Sequence, residues 1–164
     1  MIPKNMKDKT IGILGLGISG KSVFKCLEAV GSRVYAYDDN TSSDLLVTNP
    51  NKWPWYELDQ IIVSPGIPLT HPLIKKAKRL KIQINNEIDI FARSLPKAKV
   101  IGVTGTNGKS TTTSLLGHII SFNGFKVQVG GNIGKAASSL TDPGKDGFII
   151  LELSSFQLET CNNL

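Results

Sequence analysis

The sequence predicts an α/β protein made of two successive units, each with a parallel sheet. Short runs rich in β-branched residues alternate with helical patterns along the 164 residues. Several of the predicted strands run apolar without alternation, as is typical of parallel strands that helices cover on both faces. Two glycine-rich loops, "GLGISG" and "GTNGKS", each follow a predicted strand and precede a predicted helix. Together these observations predict two successive ligand-binding units.

The first unit contains four predicted strands, which are Thr10–Leu14, Arg33–Tyr37, Gln60–Val63 and Lys81–Asn85. Its predicted helices are Lys21–Val30 and Pro72–Leu80. The second helix begins with proline, which suits a first helical position. Its basic run, "KKAKRLK", lies largely outside the apolar face. We interpret this run as a solvated helix face and not as a nucleic-acid site, because no aromatic residues interleave with the charges.

The second unit begins after "RSLPKAK", where the pattern pauses at a proline and lysines. Its predicted strands are Val100–Thr104, Lys126–Val129 and Phe148–Leu153, and its predicted helix is Lys109–Asn123. We therefore predict a domain at residues 1–93, a linker at 94–99 and a second domain at 100–164.

Composition favours a cytoplasmic protein with anionic ligands. Lysine and arginine number 19 against 13 acidic residues, a net charge of +6. Cys26 and Cys161 fit no metal-ligand or redox spacing, so we interpret them as free thiols. The apolar N-terminal stretch is broken by glycines, unlike a secretion signal. No segment approaches the roughly 20 apolar residues of a membrane span.

The first glycine loop matches the dinucleotide fingerprint G-x-G-x-x-G at Gly15, Gly17 and Gly20. Such glycines let backbone N–H groups and a helix dipole face a phosphate. Asp38 and Asp39 end the next strand, where a Rossmann site binds a ribose hydroxyl. Alone, this pattern indicates NAD. The alternatives are a compact strand-to-helix turn, with the aspartates as turn formers.

The second loop resembles a phosphate-binding loop, although Val103 stands where its first glycine is expected. Its glycines would leave the backbone open as an anion nest. Lys109 would place a positive charge on the β- and γ-phosphates, while Ser110 or Thr111 would offer a hydroxyl to Mg²⁺. The predicted ATP-binding residues are Gly105, Thr106, Asn107, Gly108, Lys109, Ser110 and Thr111.

Two further polar residues are expected at the same sheet edge. Glu152 ends the apolar strand "FIILE" and is a candidate second metal ligand, whereas Asn132 in "GGNIG" follows a neighbouring strand. A helix-capping or surface carboxylate is the alternative for Glu152. We interpret His118 as a packing or surface residue, and His71 as a structural residue beside a glycine–proline loop.

The assembled motifs resemble those of the Mur ligase family over essentially the whole chain. They occur in the family's order, and the phosphate loop of the family also lacks the first glycine. The last motif is most similar to that of the branch that adds D-glutamate. The motifs are "GLGISGKS", "SPGIPLTHP", "NEIDIF", "GVTGTNGKST", "GGNIG" and "LELSSFQLE".

The resemblance implies that the first, Rossmann-like domain holds a UDP-linked substrate instead of NAD. The uracil would lie near the "SPG" segment, and the ribose and diphosphate against the glycine turn and the acidic pair. The implied UDP-binding residues are Gly15, Leu16, Gly17, Ile18, Ser19, Asp38, Asp39, Ser64, Pro65 and Gly66.

The second unit would be the first part of a P-loop ATPase domain, the central domain of the family. The resemblance implies catalytic roles for Lys109, Glu152 and Asn132. Lys109 would contact the phosphates of ATP, and Asn132 would contact substrate or metal. Mg²⁺ would be served by Ser110, Thr111 and Glu152, directly or through water.

In the family, ATP phosphorylates the carboxylate of UDP-N-acetylmuramoyl-L-alanine, and the amine of D-glutamate attacks the acyl phosphate. The family's central domain continues beyond Leu164, and a third domain follows. The resemblance therefore implies the N-terminal portion of a ligase, inactive in isolation, with the D-glutamate site outside this chain and a monomer at full length. We expect no nucleic-acid partner and no membrane partner.

Two other functions are compatible with parts of the sequence. An NAD(P)-dependent oxidoreductase would explain the first glycine loop but leave the second unexplained. A non-catalytic nucleotide-binding module would retain both loops without a reaction. Titration with UDP and with NADH distinguishes the oxidoreductase alternative from a UDP-binding domain.

Overall fold

The computed structural model describes residues 1–41, 46–94, 97–159 and 161, and it confirms the α/β class with parallel sheets. The described residues form a four-stranded sheet and a three-stranded sheet. Residues 95–96 of the predicted linker and residues 160 and 162–164 of the predicted second domain lie outside the described residues. The domain bounds of 1–93 and 100–164 stay a prediction.

The first sheet is wholly parallel and has the order β2-β1-β3-β4. Its strands are β1 (Thr10–Leu14), β2 (Arg33–Tyr37), β3 (Gln60–Val63) and β4 (Gln83–Asn85). The helices around it are α1 (Ile18–Ala29), α2 (Pro72–Arg79) and α3 (Glu87–Arg93). Leu14 pairs with both Tyr37 and Val63, so β1, β2 and β3 end in one row.

The first sheet has a separate apolar cluster on each face. Ile11 and Ile13 pack with Leu27 of α1, whereas Ile61 packs with Ile74 of α2. All five side chains are fully buried. Helices on both faces explain why β1 and β3 are apolar without alternation.

The second sheet is also parallel and has the order β5-β7-β6. Its strands are β5 (Lys99–Val103), β6 (Val127–Gly131) and β7 (Phe148–Glu152), with helices α4 (Lys109–Phe122) and α5 (Ser155–Glu159). Glu152 pairs with Val103 on one side and with Gly131 on the other. The three strands therefore end in one row, which brings the segments that follow them to one edge.

Helix α3 is absent from the sequence-based prediction. It begins after Asn86, whose side chain accepts the Asp89 N–H, while the Asp89 carboxylate accepts the Asn86 N–H. This reciprocal capping box pairs N–H groups that lack partners within the helix. Ile88 and Phe91 then pack with Ile149 of β7, so α3 shares the apolar core of the second sheet.

Strands β1, β2 and β3 have the predicted ends, and the other predicted elements are confirmed with shifted ends. Helix α1 begins three residues earlier than predicted, and β4 begins at Gln83 instead of Lys81. The described residues include no helix with the length and apolar character needed to cross a membrane. Neither Cys26 nor Cys161 forms a disulfide.

Candidate nucleotide sites

The first glycine loop lies at the carboxyl edge of the first sheet. It is hydrogen-bonded to the ends of both strands that flank β1. The Gly15 N–H donates to the carbonyl of Tyr37 over 2.8 Å. The Ser64 hydroxyl donates to the Gly15 carbonyl over 2.9 Å. Gly15 and Ser64, which the sequence places 49 residues apart, are therefore in direct contact.

Two glycines of this loop have different spatial requirements. A methyl group on Gly20 would overlap the carbonyl oxygen of Gly15, so α1 packs against the loop only if residue 20 has no side chain. Apart from the two adjoining residues, no atom of the described residues lies within 4 Å of the position that a side chain on Gly17 would take. Gly20 thus serves packing, while Gly17 leaves open space at the start of α1. The Ile18 side chain, 77% exposed, borders that space, and Ser19 is half-buried beside it.

Asp38 is bound within the protein through both of its carboxylate oxygens. Oδ2 accepts the Leu16 N–H over 2.6 Å, and Oδ1 accepts the Asn40 N–H over 2.8 Å. The hydrogen bond from Leu16 is the main cause that lowers the pKa of Asp38. Asp38 therefore holds the loop in shape, and the Leu16 N–H is already engaged.

Asp39 has a different environment from its neighbour. Its side chain is 49% exposed and borders a cleft of about 620 Å³. Asp39 Oδ2 lies 3.0 Å from Nε2 of His71. A hydrogen bond with Asp39 also raises the pKa of the Tyr37 phenol. The sequence-based reasoning treated His71 as structural, but it lies in direct contact with a predicted ligand-binding carboxylate.

The "SPG" segment forms part of a second cleft, of about 440 Å³. Ser64, Pro65 and Gly66 lie on one wall, and Phe156 of α5 lies on the other. This cleft is therefore between the carboxyl edge of the first sheet and the helix that follows β7. All ten predicted UDP-binding residues lie in or beside the segments that follow β1, β2 and β3.

The second glycine loop joins β5 to α4. Gly105 has a φ of 145° and Gly108 a φ of 74°, a region that side-chain-bearing residues rarely adopt. The Lys109 ammonium lies on the loop and donates to the carbonyls of Gly105 (2.7 Å) and Thr106 (3.3 Å). Thr106, Asn107 and the hydroxyl-bearing Ser110 and Thr111 are all exposed.

Glu152 and Asn132 meet at this same edge. The Asn132 N–H donates to the Glu152 carbonyl over 2.9 Å, and its side-chain amide lies 3.4 Å from Glu152 Oε1. Glu152 is 3% exposed, and its Oε2 has no hydrogen-bond partner within the described part of the chain. A buried carboxylate oxygen without a donor fits a cation or a bound water.

A metal at this site would need ligands beyond the acidic side chains. The described residues contain no group of three or more His, Cys, Asp or Glu that could hold an ion. Ser110 and Thr111 supply hydroxyls on the first turn of α4, and magnesium commonly keeps several waters and phosphate oxygens. The donor set of Glu152 and these hydroxyls therefore fits a magnesium–nucleotide complex.

The sequence-based reasoning missed a buried hydroxyl one turn into α4. Thr113 is fully buried, and its Oγ1 has no partner among the described residues. It lies four residues after Lys109, on the face of the helix turned towards the sheet. A threonine within "KSTTTS" carries no sequence signal that separates it from its exposed neighbours.

Comparison with protein families gives two matches that together cover most of the chain. Residues 9–86 match a family described as "Mur ligase MurD-like, N-terminal domain". Residues 103–164 match one described as "Mur ligase middle domain". The first match covers the four-stranded sheet, and the second covers the phosphate loop, Asn132 and Glu152.

Several curated bacterial proteins are similar to the chain over nearly all of its length. A protein named UDP-N-acetylmuramoylalanine--D-glutamate ligase from Wolbachia sp. subsp. Brugia malayi is 39% identical over 171 residues, which is 95% of the chain and 34% of that protein. The proteins of the same name from Paramagnetospirillum magneticum and Brucella abortus (strain 2308) are 39% and 37% identical. The alignments cover 97% and 100% of the chain, and 37% and 38% of those proteins. The chain thus spans little more than a third of the length of these relatives.

Proposed function

The chain belongs to the Mur ligase family, and from this premise we propose that it carries the nucleotide sites of an ATP-dependent ligase. The ligase would join D-glutamate to UDP-N-acetylmuramoyl-L-alanine during peptidoglycan synthesis. The relatives' name supports this specificity. The observation that carries the ATP site is the row of Val103, Glu152 and Gly131. It supports a site in which a glycine loop, a buried carboxylate and the Asn132 amide act together.

The first sheet would bind the UDP part of the substrate. Gly17 leaves open space where the diphosphate would approach α1, and Ile18 offers an apolar surface to the base or sugar. The cleft beside Ser64, Pro65 and Gly66 would hold the uracil, as the resemblance implies. Leu16 and Asp38 would act through the loop they hold, because their hydrogen bonds are internal.

The second sheet would bind ATP through residues 105–111. Lys109 would exchange its contacts with the loop carbonyls for the phosphates of ATP, and the exposed N–H groups that open α4 would face the same anion. Mg²⁺ would be held by Ser110, Thr111 and Glu152, directly or through water. Once bound, it would supply positive charge that lowers the repulsion between the reacting anions.

The reaction requires activation of a carboxylate. The alanine carboxylate of the substrate is a poor electrophile until it is phosphorylated, and it must approach a phosphate of like charge. Lys109 would stabilise that approach electrostatically, and Asn132 would orient substrate or metal from the neighbouring strand. The acyl phosphate formed is then attacked by the amine of D-glutamate, which gives the amide and releases phosphate.

We propose a cytoplasmic location, which is supported by two cysteines that form no disulfide. We further propose that the full-length protein is a monomer without nucleic-acid or membrane partners. The basic run on α2 contains no aromatic residue of its own, which favours small anionic ligands over a nucleic acid. In the described part of the chain its aromatic neighbour is Trp55, whose ring centre lies 4.1 Å from Lys76 Nζ.

Calorimetry with UDP and with NADH tests the first site. We expect the chain to bind UDP and to give no saturable heat with NADH. Tight NADH binding without a UDP response would instead favour the oxidoreductase alternative.

A matched pair of variants tests the second site. In Glu152→Gln, the enhancement of AMP-PNP affinity by Mg²⁺ should fall by about tenfold or more, because a metal ligand loses its charge. Glu28→Gln removes the same charge from an exposed position on α1 and should leave that enhancement unchanged. Equal Mg²⁺ dependence in the wild type and Glu152→Gln would exclude Glu152 as the metal ligand.

A further inference from the structure

We propose that His71 is a positioning residue of the UDP site. Its side chain orients Asp39 towards the ligand and connects Asp39 to the start of α2. The inference rests on the proposed function of the first sheet. It assigns a role in ligand binding to a histidine that the sequence pattern indicates only as structural.

The two ring nitrogens of His71 face different elements. Nδ1 lies 3.2 Å from the Leu73 N–H and accepts its hydrogen bond, so His71 is the N-cap of α2. An accepting Nδ1 carries no proton, and the proton of the neutral ring is therefore on Nε2. Nε2–H donates to Asp39 Oδ2 over 3.0 Å. The helix cap thus selects the tautomer that can hold the carboxylate.

Asp38 and Asp39, the acidic pair after β2, have different roles. Each oxygen of Asp38 accepts one backbone N–H group, so Asp38 is fixed against the glycine loop. Asp39 is 49% exposed, whereas the His71 side chain is 13% exposed. Asp38 is half-buried and lines the same cleft, so Asp39 is the more exposed carboxylate of the pair.

The surroundings of Asp39 form a cleft suited to a nucleoside. The cleft has a volume of about 620 Å³ and is lined by Tyr37, Asp39, Asn49 and His71. A carboxylate held on one side by an N–H donor presents its remaining lone pairs in a fixed direction. Those lone pairs would accept a hydroxyl of the ribose or the imide N–H of the uracil, both of which are donors.

Without His71, Asp39 would lose its fixed direction and part of its affinity for the ligand. Tyr37 would remain as a hydrogen-bond partner of Asp39. The loss should therefore be partial, about fivefold to tenfold in the Kd for UDP, as expected for one charge-assisted hydrogen bond.

His71→Asn separates this role from the helix cap. The asparagine oxygen can accept the Leu73 N–H, because asparagine is a favoured N-cap residue. Its side chain is too short to reach Asp39 as well. We expect His71→Asn to keep the midpoint of urea unfolding near that of the wild type, whereas His71→Ala should lower it. Both variants should weaken UDP binding to a similar extent.

A double-mutant cycle with Asp39→Asn measures the coupling. His71→Asn should raise the Kd for UDP about fivefold to tenfold in the wild-type background, and less than about twofold in the Asp39→Asn background. Nitrogen NMR of the wild-type ring should show protonated Nε2 and unprotonated Nδ1. The inference is overturned if UDP binds His71→Asn as tightly as the wild type, if the losses are additive, or if the other tautomer is found.

These outcomes are distinct from failure of the proposed function. If the wild-type chain does not bind UDP, the assignment of the first sheet fails, and the inference that rests on it fails too. If the wild type binds UDP and the cycle shows no coupling, only the role of His71 is rejected.

Discussion

Glu87 and Ser138 form two hydrogen bonds across the boundary between the two sheets. Glu87 Oε1 accepts both the backbone N–H and the hydroxyl of Ser138, each over 2.8 Å. Glu87 begins α3, and Ser138 lies in a 3-10 turn at Ala137–Ser139. Both residues are almost fully buried, so neither group exchanges these bonds for water. One side chain thus satisfies two donors of the other unit.

Glu87→Ala should destabilise the chain more than Ser138→Ala. The first variant leaves the buried Ser138 N–H without its partner and should cost about 2–4 kcal/mol in free energy of unfolding. Ser138→Ala removes one hydroxyl and should cost about 1 kcal/mol. Urea unfolding measures both. Ser139→Ala is the control, because that exposed hydroxyl bonds only within its own turn. Equal effects of Glu87→Ala and Ser139→Ala would contradict the role of this contact.

Gly20→Ala and Gly17→Ala should have different effects, because Gly20 allows α1 to pack on the loop and Gly17 leaves space for the proposed UDP ligand. The added methyl group at residue 20 meets the backbone of Gly15, which cannot move without disturbing the loop, so we expect a loss of about 3 kcal/mol or more. At residue 17 the methyl group meets open space and φ is −65°, so stability should change little. If the diphosphate approaches Gly17, this second variant should bind UDP more weakly. Comparable stability of the two variants would contradict the packing role of Gly20.

Asp38→Asn should destabilise the chain at neutral pH but less in strong acid. Because the folded-state pKa of Asp38 lies below its ordinary value of 3.8, its contribution to stability is complete above that value. It is lost as the pH falls through the lower, folded-state pKa. We expect a difference of about 1 kcal/mol from the wild type at pH 7, the size of one hydrogen bond at a partly exposed site, and this difference should narrow only as the pH falls below 3.8. Asp146→Asn, at an exposed position, is the control in urea unfolding at both pH values. A difference that persists unchanged at low pH would reject this linkage.

Lys109→Ala should abolish ATP binding while the fold and UDP binding persist. Its ammonium contacts only carbonyls of its own exposed loop among the described residues, so little stability depends on it. Lys126→Ala removes the same charge at the opposite edge of the sheet, just before β6, and should bind ATP normally. Calorimetry at fixed Mg²⁺ and salt compares the two. Normal ATP binding by Lys109→Ala would remove the basis for the phosphate-loop assignment.

The outer face of α4 should cause the isolated chain to self-associate. Leu115, Ile119 and Phe122 follow a helical spacing and are 56%, 48% and 84% exposed. Ile119→Ser combined with Phe122→Ser should lower the average mass measured by sedimentation at high protein concentration. Tyr56→Ser, at an aromatic residue that is 92% exposed elsewhere, is the control. A concentration-independent monomer mass for the wild type would disprove the expectation.

The strands and both glycine loops are predictable from sequence because their signals are local. Strands β1, β3 and β7 are apolar runs, and each glycine loop lies between a strand and a helix. The sequence also carries a signal for α3 in the spacing of Asn86 and Asp89, but a seven-residue helix has little periodicity to support it.

The contacts that define the sites depend on distant pairs and are not visible in the sequence. From the sequence, Asp38 is a candidate for ribose binding. The structure shows that its carboxylate accepts the Leu16 N–H, a contact between residues 22 positions apart. Likewise, His71 lies 32 residues from Asp39, and only the folding of α2 against the first sheet joins them. Burial also depends on the tertiary structure. Thr113 is buried because it faces the sheet, whereas its neighbours in "TTT" face away from it.

The central position of β7 has a consequence for synthesis of the chain. Strands β5 and β6 pair with β7 and not with each other. A ribosome that has made residues 99–131 has therefore produced β5 and β6 before the strand that pairs with both of them among the described residues. The sheet can assemble only after Phe148–Glu152 has left the exit tunnel, and until then both strands expose edges that favour association between nascent chains. Glu152 ends β7, so the proposed metal-binding carboxylate would be synthesised with the strand that joins β5 to β6.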